Sequence, residues 1–128
     1  TARVRVRIGD IVTAWLPWLT ARAGKDRTWW APEVGEQVIV LSPDGEPAQG
    51  WVLPAGFSDA APAPADRPDV HRTVYEDGAV IEYDRAAHRL TATIPGDVIL
   101  TADGTLTAEI GGEVTLTAGG NVTVTAPK

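Results

Sequence analysis

Cysteine is absent from this 128-residue chain. That excludes a disulfide framework, a thiolate metal site and a cysteine nucleophile. Methionine is absent too, even at position 1, from which a processed or partial chain is expected. No stretch approaches the roughly 20 apolar residues of a membrane-spanning helix, and no signal peptide opens the sequence. Positive charge is scarce: 11 Lys+Arg stand against 17 Asp+Glu, for a net charge of −6. A nucleic-acid binder ordinarily carries a basic face that neutralises phosphates, so no nucleic-acid partner is expected. Only two histidines occur, His71 and His88, and the Asp and Glu residues are scattered. No pair stands out as the two carboxylates that glycoside hydrolysis needs. Gly-Asp and Asp-Gly steps hint at a calcium-binding repeat, but the nine-residue calcium-roll pattern does not fit an eight-residue period. No catalytic, cofactor or metal residue is assigned, and the chain is not expected to be an enzyme.

What is present falls into four segments: a domain over 1–58, a linker over 59–69, neck strands over 70–95 and a repeat over 96–128. The first holds all five tryptophans: Trp15, Trp18, Trp29, Trp30 and Trp51. There Val4, Val6 and Ile8 alternate with Arg3, Arg5 and Arg7, the period-2 pattern of a half-buried strand. Ile11–Leu16 continues it beyond a Gly9-Asp10 turn. Gln37–Leu41 ends in the turn cluster Ser42-Pro43-Asp44-Gly45 and is expected to pair with Gln49–Leu53 as a hairpin. Four to five short strands without a convincing helix suit a small OB-fold barrel. The tryptophans are expected in the barrel core or at an interface, with a stacking platform for sugars or bases as the alternative. The alternating arginines read as a solvated face or a dock for an acidic partner.

Residues 59–69, Asp-Ala-Ala-Pro-Ala-Pro-Ala-Asp-Arg-Pro-Asp, favour extended polyproline II and read as a linker. In the neck, Ala79–Asp84 and Arg89–Ile94 read as two strands joined by Arg85-Ala86-Ala87-His88, a turn in which His88 is expected to be solvated.

The last segment carries the strongest pattern. Gly96, Gly104, Gly112 and Gly120 stand eight residues apart and read as repeat turns. The third, fifth and seventh places of each octad are apolar: Val98, Leu100 and Ala102; Leu106, Ala108 and Ile110; Val114, Leu116 and Ala118; Val122, Val124 and Ala126. Threonine fills most intervening places, a pattern that also admits a short ice-binding array. Side chains alternate across a strand, so each octad directs its three apolar residues one way. One copy of such a ribbon has a bare apolar face and unpaired edges. Two copies make a sandwich, and a single-chain solenoid consumes about three octads per coil. Three copies facing inward close a prism with those twelve residues as a trimer core. The expected class is therefore all-β: an OB-fold barrel, then a trimeric β-helix or β-prism shaft.

Several blocks together resemble the phage baseplate assembly protein V family, the gpV-like central spikes of contractile tails. They are Arg3-Val-Arg-Val-Arg-Ile-Gly9, Trp15-Leu-Pro-Trp18-Leu, Trp29-Trp30-Ala-Pro, Val34-Gly-Glu-Gln-Val38, Gln49-Gly-Trp-Val-Leu-Pro54, and Tyr75-Glu-Asp-Gly78 through Glu82-Tyr83-Asp84 into the octads. R-type tailocins and the VgrG spikes of type VI secretion share the plan. The resemblance implies a homotrimeric spike at the tip of a tail tube, attached to baseplate hub and tube proteins. It implies a spike driven through the bacterial envelope on sheath contraction, assembled in the bacterial cytoplasm and carried on a virion or tailocin particle. Some relatives bind iron at a His-x-His tip. Neither His71 nor His88 forms that motif, so no cofactor is expected, and the apex is missing, truncated or supplied by a separate tip-capping protein. An eleven-residue linker leaves no room for the lysozyme domain that some relatives insert. The alternative function is a saccharide- or peptide-binding OB module on a trimerising β-stalk.

Overall fold

A computed structural model describes residues 2–128. The chain divides into two units, residues 1–95 and residues 96–128. Every strand with a bonded partner lies in the first unit.

The alternating N-terminal run forms β1 (Arg3–Val4) and β2 (Arg7–Ile8), which fold back on β3 (Ile11–Val12) and β4 (Leu16–Pro17). The reversal at Gly9 uses φ +61°, a conformation open to glycine without Cβ strain. The two antiparallel ladders are out of step. Arg3 faces Pro17 and Val4 faces Leu16, but Arg7 faces Val12. Two residues, Arg5 and Val6, therefore oppose three, Thr13 to Trp15, which is a β-bulge. Thr13 repairs the interruption. Its N–H donates to the Val6 carbonyl at 2.8 Å. Its buried hydroxyl accepts from the Val6 N–H at 3.0 Å and donates to the Ala14 carbonyl at 2.8 Å.

Strands β5 (Val38–Leu41) and β6 (Trp51–Pro54) pair antiparallel, Leu41 opposite Trp51 and Val38 opposite Pro54. The hairpin expected between Gln37–Leu41 and Gln49–Leu53 is thus present, with its second strand beginning later. Pro47–Gln49 forms a 3-10 turn, after another at Pro43–Gly45. Gly50 then passes so close to β5 that an added Cβ would lie 2.7 Å from Val40 Cγ1. A parallel bridge from Trp18 to Val52, with the Leu19 N–H donating to the Val52 carbonyl at 2.8 Å, joins the two hairpins. Leu16 and Val52 fill the centre at that junction, 1% and 0% exposed.

The neck is a three-stranded antiparallel sheet in the order β7 (Val70–Val74), β8 (Val80–Asp84), β9 (Arg89–Thr93). The two strands expected from the sequence are present, and Val70–Val74 adds a third. The β8–β9 turn holds His88 at φ 52°, and the Asp84 carboxylate ties it by accepting from the N–H groups of Ala86 (2.9 Å) and Ala87 (3.1 Å).

Residues 59–69 do not hang free between barrel and neck. Arg67 Nη2 donates to Asp84 Oδ2 at 2.9 Å, and Arg85 Nε donates to Asp69 Oδ1 at 2.9 Å. Arg72 reaches the Pro64 carbonyl with Nη1 while Nε and Nη2 hold Glu82 Oε1 at 2.8 and 2.6 Å. The segment is a strap pinned to the neck sheet by charge, which its proline and alanine content did not announce.

Candidate functional site

The apolar repeat of residues 96–128 is the feature that separates this chain from an ordinary small β-domain. Its backbone bends at Pro95-Gly96, Asp103-Gly104, Gly111-Gly112 and Gly119-Gly120, once per octad, with neither helix nor strand between. Among the described residues, no backbone hydrogen bond within the chain involves residues 96–128. All of these residues are exposed. Val98 and Leu100 stand 79% and 74% open, and Leu106, Ile110, Val114, Leu116, Val122 and Val124 are comparable; Ala102, Ala108, Ala118 and Ala126 are exposed as well. The structure thus gathers none of the twelve expected core residues into a core within one chain.

The register of the pattern is strict. Because the period is eight, an even number, every apolar place and every octad glycine falls on an even residue number. The odd places carry Thr, Asp, Glu and Asn, with Ile99, Gly111, Gly119 and Pro127 as the departures. Alternation therefore sorts the ribbon into an apolar face and a hydroxyl-and-carboxylate face. On the polar face Thr115 Oγ1 donates to Glu113 Oε1 at 3.2 Å, as two side chains two residues apart on one face should. Gly96, Gly104, Gly112 and Gly120 all have φ outside the left-handed region, and a Cβ at any of them would meet nothing within 4 Å. Neither strain nor crowding inside one chain requires glycine there.

The tryptophans follow the same parity logic in the first unit. Leu16 and Val52 point inward, so their sequence neighbours Trp15 and Trp51 point outward, 61% and 46% exposed. Trp29 and Trp30 are 72% and 68% exposed, and Trp18 is half-buried. Of the two places expected for the five tryptophans, core or interface, the core within one chain is filled instead by two aliphatic residues, Leu16 and Val52. The tryptophans are nevertheless ordered by neighbours. Trp18 meets Trp29 edge-on at 5.1 Å, Trp30 stacks on Tyr75 of the neck at 5.9 Å, and the Arg5 guanidinium lies 5.7 Å from the centre of the Trp15 ring. Arg3 donates to the Trp15 carbonyl at 3.2 Å, so two of the three alternating arginines serve their own hairpin.

The hydrogen bond from Arg67 holds the Asp84 carboxyl below the ordinary carboxylate range, helped by the Ala87 and Ala86 N–H groups and opposed by desolvation. The same contact raises Arg67. Both groups are structural, tying residues 59–69 to β8. Sequence reasoning missed them because it took the segment as featureless; the opposite charges of Arg67, Asp69, Arg72, Glu82, Asp84 and Arg85 were the available signal. His71 lies in β7 and His88 in the β8–β9 turn, with β8 between the strands that carry or follow them.

Two comparisons with known proteins bear on this arrangement. Residues 1–57 match the type VI secretion system/phage-baseplate injector OB domain. Over 104 residues, 81% of its length, the chain is 44% identical to the spike protein of Escherichia phage P2. The chain spans about half, 49%, of that relative's length. The chain is thus similar to the injector OB domain over its first 57 residues and to a phage spike protein over most of its length.

Proposed function

We propose that three copies of this chain form the central spike of a contractile injector, with the even-numbered stripe from Val98 to Ala126 packed around a common axis. The observation that carries this reading is the exposure of that whole stripe on a ribbon whose backbone forms no bonds within its own chain. Backbone amides and apolar side chains both need partners in a stable fold. Neighbouring copies supply both, and the closed assembly removes every edge except at its ends. The octad glycines, unconstrained within one chain, then serve close approach of backbones at the corners.

Function in this reading lies in shape and kinetic stability, with no chemistry. Without free edges, unfolding starts only at the tip or the base. The threonine-lined exterior meets the bacterial envelope as the spike is driven through it. The OB domain faces hub and tube proteins, and the particle is a virion or a tailocin. No cofactor takes part. The relative's designation as a spike protein supports this role.

Light scattering on a sizing column, with an unboiled lane on an SDS gel, tests it. The expected result is three times the 13.5 kDa chain mass, resistant to SDS until boiled. A monomer would overturn the reading and leave the exposed tryptophans as a ligand-binding face, to be titrated with saccharides and peptides by their fluorescence.

A further inference from the structure

The neck sheet is built inside out. In β8 the burial pattern places the charged residues Glu82 and Asp84 under cover and leaves Ile81 and Tyr83 43% and 47% exposed. The cross-strand register extends this to the whole sheet. Ile81 faces Thr73 and Ala92, and Tyr83 faces His71 and Leu90. Directly opposed residues share a face, so His71, Thr73, Ile81, Tyr83, Leu90 and Ala92 line one side, with Leu90 71% exposed. The opposite side mixes Val70, Val74 and Val80 with Arg72, Glu82 and Asp84, and the strap reaches it through Arg67 and the Pro64 carbonyl. An antiparallel sheet with one wet face ordinarily shows its polar side to water. Here the chain itself covers Glu82 and Asp84 on one side and leaves Ile81, Tyr83 and Leu90 open on the other.

The occupant of the open side is named by the sequence that follows. Leu90, Ala92 and Ile94 are even-numbered, and the apolar parity runs from them through Val98 to Ala126 without a break in step. The open face of the neck thus shares its sequence parity with the apolar places of the octads. The octads have a weakness of their own. Sliding one copy by eight residues places apolar places on apolar places and glycine on glycine, with loss of contacts at the ends alone. A repeat of this kind specifies its register weakly. Tyr83, Leu90 and Ile81 recur nowhere in the repeat, and a slipped copy would lose their contacts entirely.

We propose that the open face of the neck sheet, centred on Tyr83 and Leu90, docks against the same face of other copies and sets the register in which the octads assemble. This rests on the trimeric reading above and adds a registration device to it.

The absence of cysteine makes the test direct. Thr117→Cys lies on the polar face and takes a spin label in the full-length chain; dipolar spectroscopy then reads the distance between copies. One sharp distance is expected from the otherwise native protein. Tyr83→Ser with Leu90→Ser is expected to broaden it into several, displaced along the axis by up to roughly 26 Å for one fully extended octad. Thr91→Lys, on the opposite face of β9, controls for damage to the strand and is expected to keep the single distance. Assembly of the control alongside a monomeric double variant also supports the proposal, since the neck contact is then required for association. A double variant with the same mass and the same single distance would overturn it and leave the trimer intact. A Thr117→Cys protein that never associates would instead overturn the trimeric reading and this proposal with it.

Discussion

The two halves of this chain obey the same period-2 rule and reach opposite outcomes. Residues 3–54 use alternation to bury Leu16 and Val52 against each other and to satisfy the backbone through paired strands. Residues 96–128 alternate more regularly, yet bury nothing and pair with nothing in their own chain. The difference lies in what surrounds the alternation. Turns at Gly9 and after Leu41 return the barrel strands to partners from the same chain. The octad bends recur too soon and too evenly for one ribbon to cover itself. In the proposed assembly, regularity of pattern marks the segment whose partners come from outside, and irregularity (a bulge, two 3-10 turns, a strap) marks the one that closes on its own.

The largest effect should come from attacking the open half. Replacing Leu100 and Leu116 with Asp places carboxylates on the apolar stripe and should abolish association, read as a shift from assembled to monomeric mass in sedimentation. A heat-resistant assembly from that variant would show that the stripe does not face inward. The closed half should respond in stability instead. At Gly50, Ala drives a Cβ into Val40 Cγ1 and the Pro47 and Leu41 carbonyls, so denaturant unfolding of the barrel should show a loss of about 1–3 kcal/mol. Thr13→Val keeps the shape but leaves the Val6 N–H without its acceptor, for about 1 kcal/mol in the same assay.

The smallest effect is the pH dependence of the strap. Asp84 is held below its ordinary value of 3.8, so its contribution is fully present above that value and drains away as pH falls through the lower folded-state value. Asp84→Asn should therefore destabilise the neck at neutral pH, and the gap between variant and parent should close on acidification below about 4. A gap that widened in acid would place the stabilising charge elsewhere.

Much of this architecture was legible in the residues. The bends fall at the octad glycines, and β5, β6, β8 and β9 fall close to their expected places, because alternation and turn chemistry are local signals. The bulge at Thr13 was not legible, since a one-residue offset leaves the polar and apolar spacing nearly unchanged. Exposure of Trp15 and Trp51 was hidden for a related reason: each adjoins an aliphatic residue, Leu16 or Val52, and composition alone does not say which neighbour turns inward. The strap was missed because ion pairs such as Arg67–Asp84, seventeen residues apart, leave no periodic trace. The inverted neck face needed the ladder register, which aligns Tyr83 with Leu90 and Ile81 with Ala92.

The central claim is that residues 96–128 obtain both their core and their backbone hydrogen bonds from other copies of the chain. Amide hydrogen exchange of the assembled protein tests it most directly, because among the described residues none of those amides is bonded within one chain. Protection of the octad amides equal to or greater than that of β5 and β6 is the expected result. Exchange of residues 96–128 at the rates of a free peptide, while β5 and β6 stay protected, would contradict it.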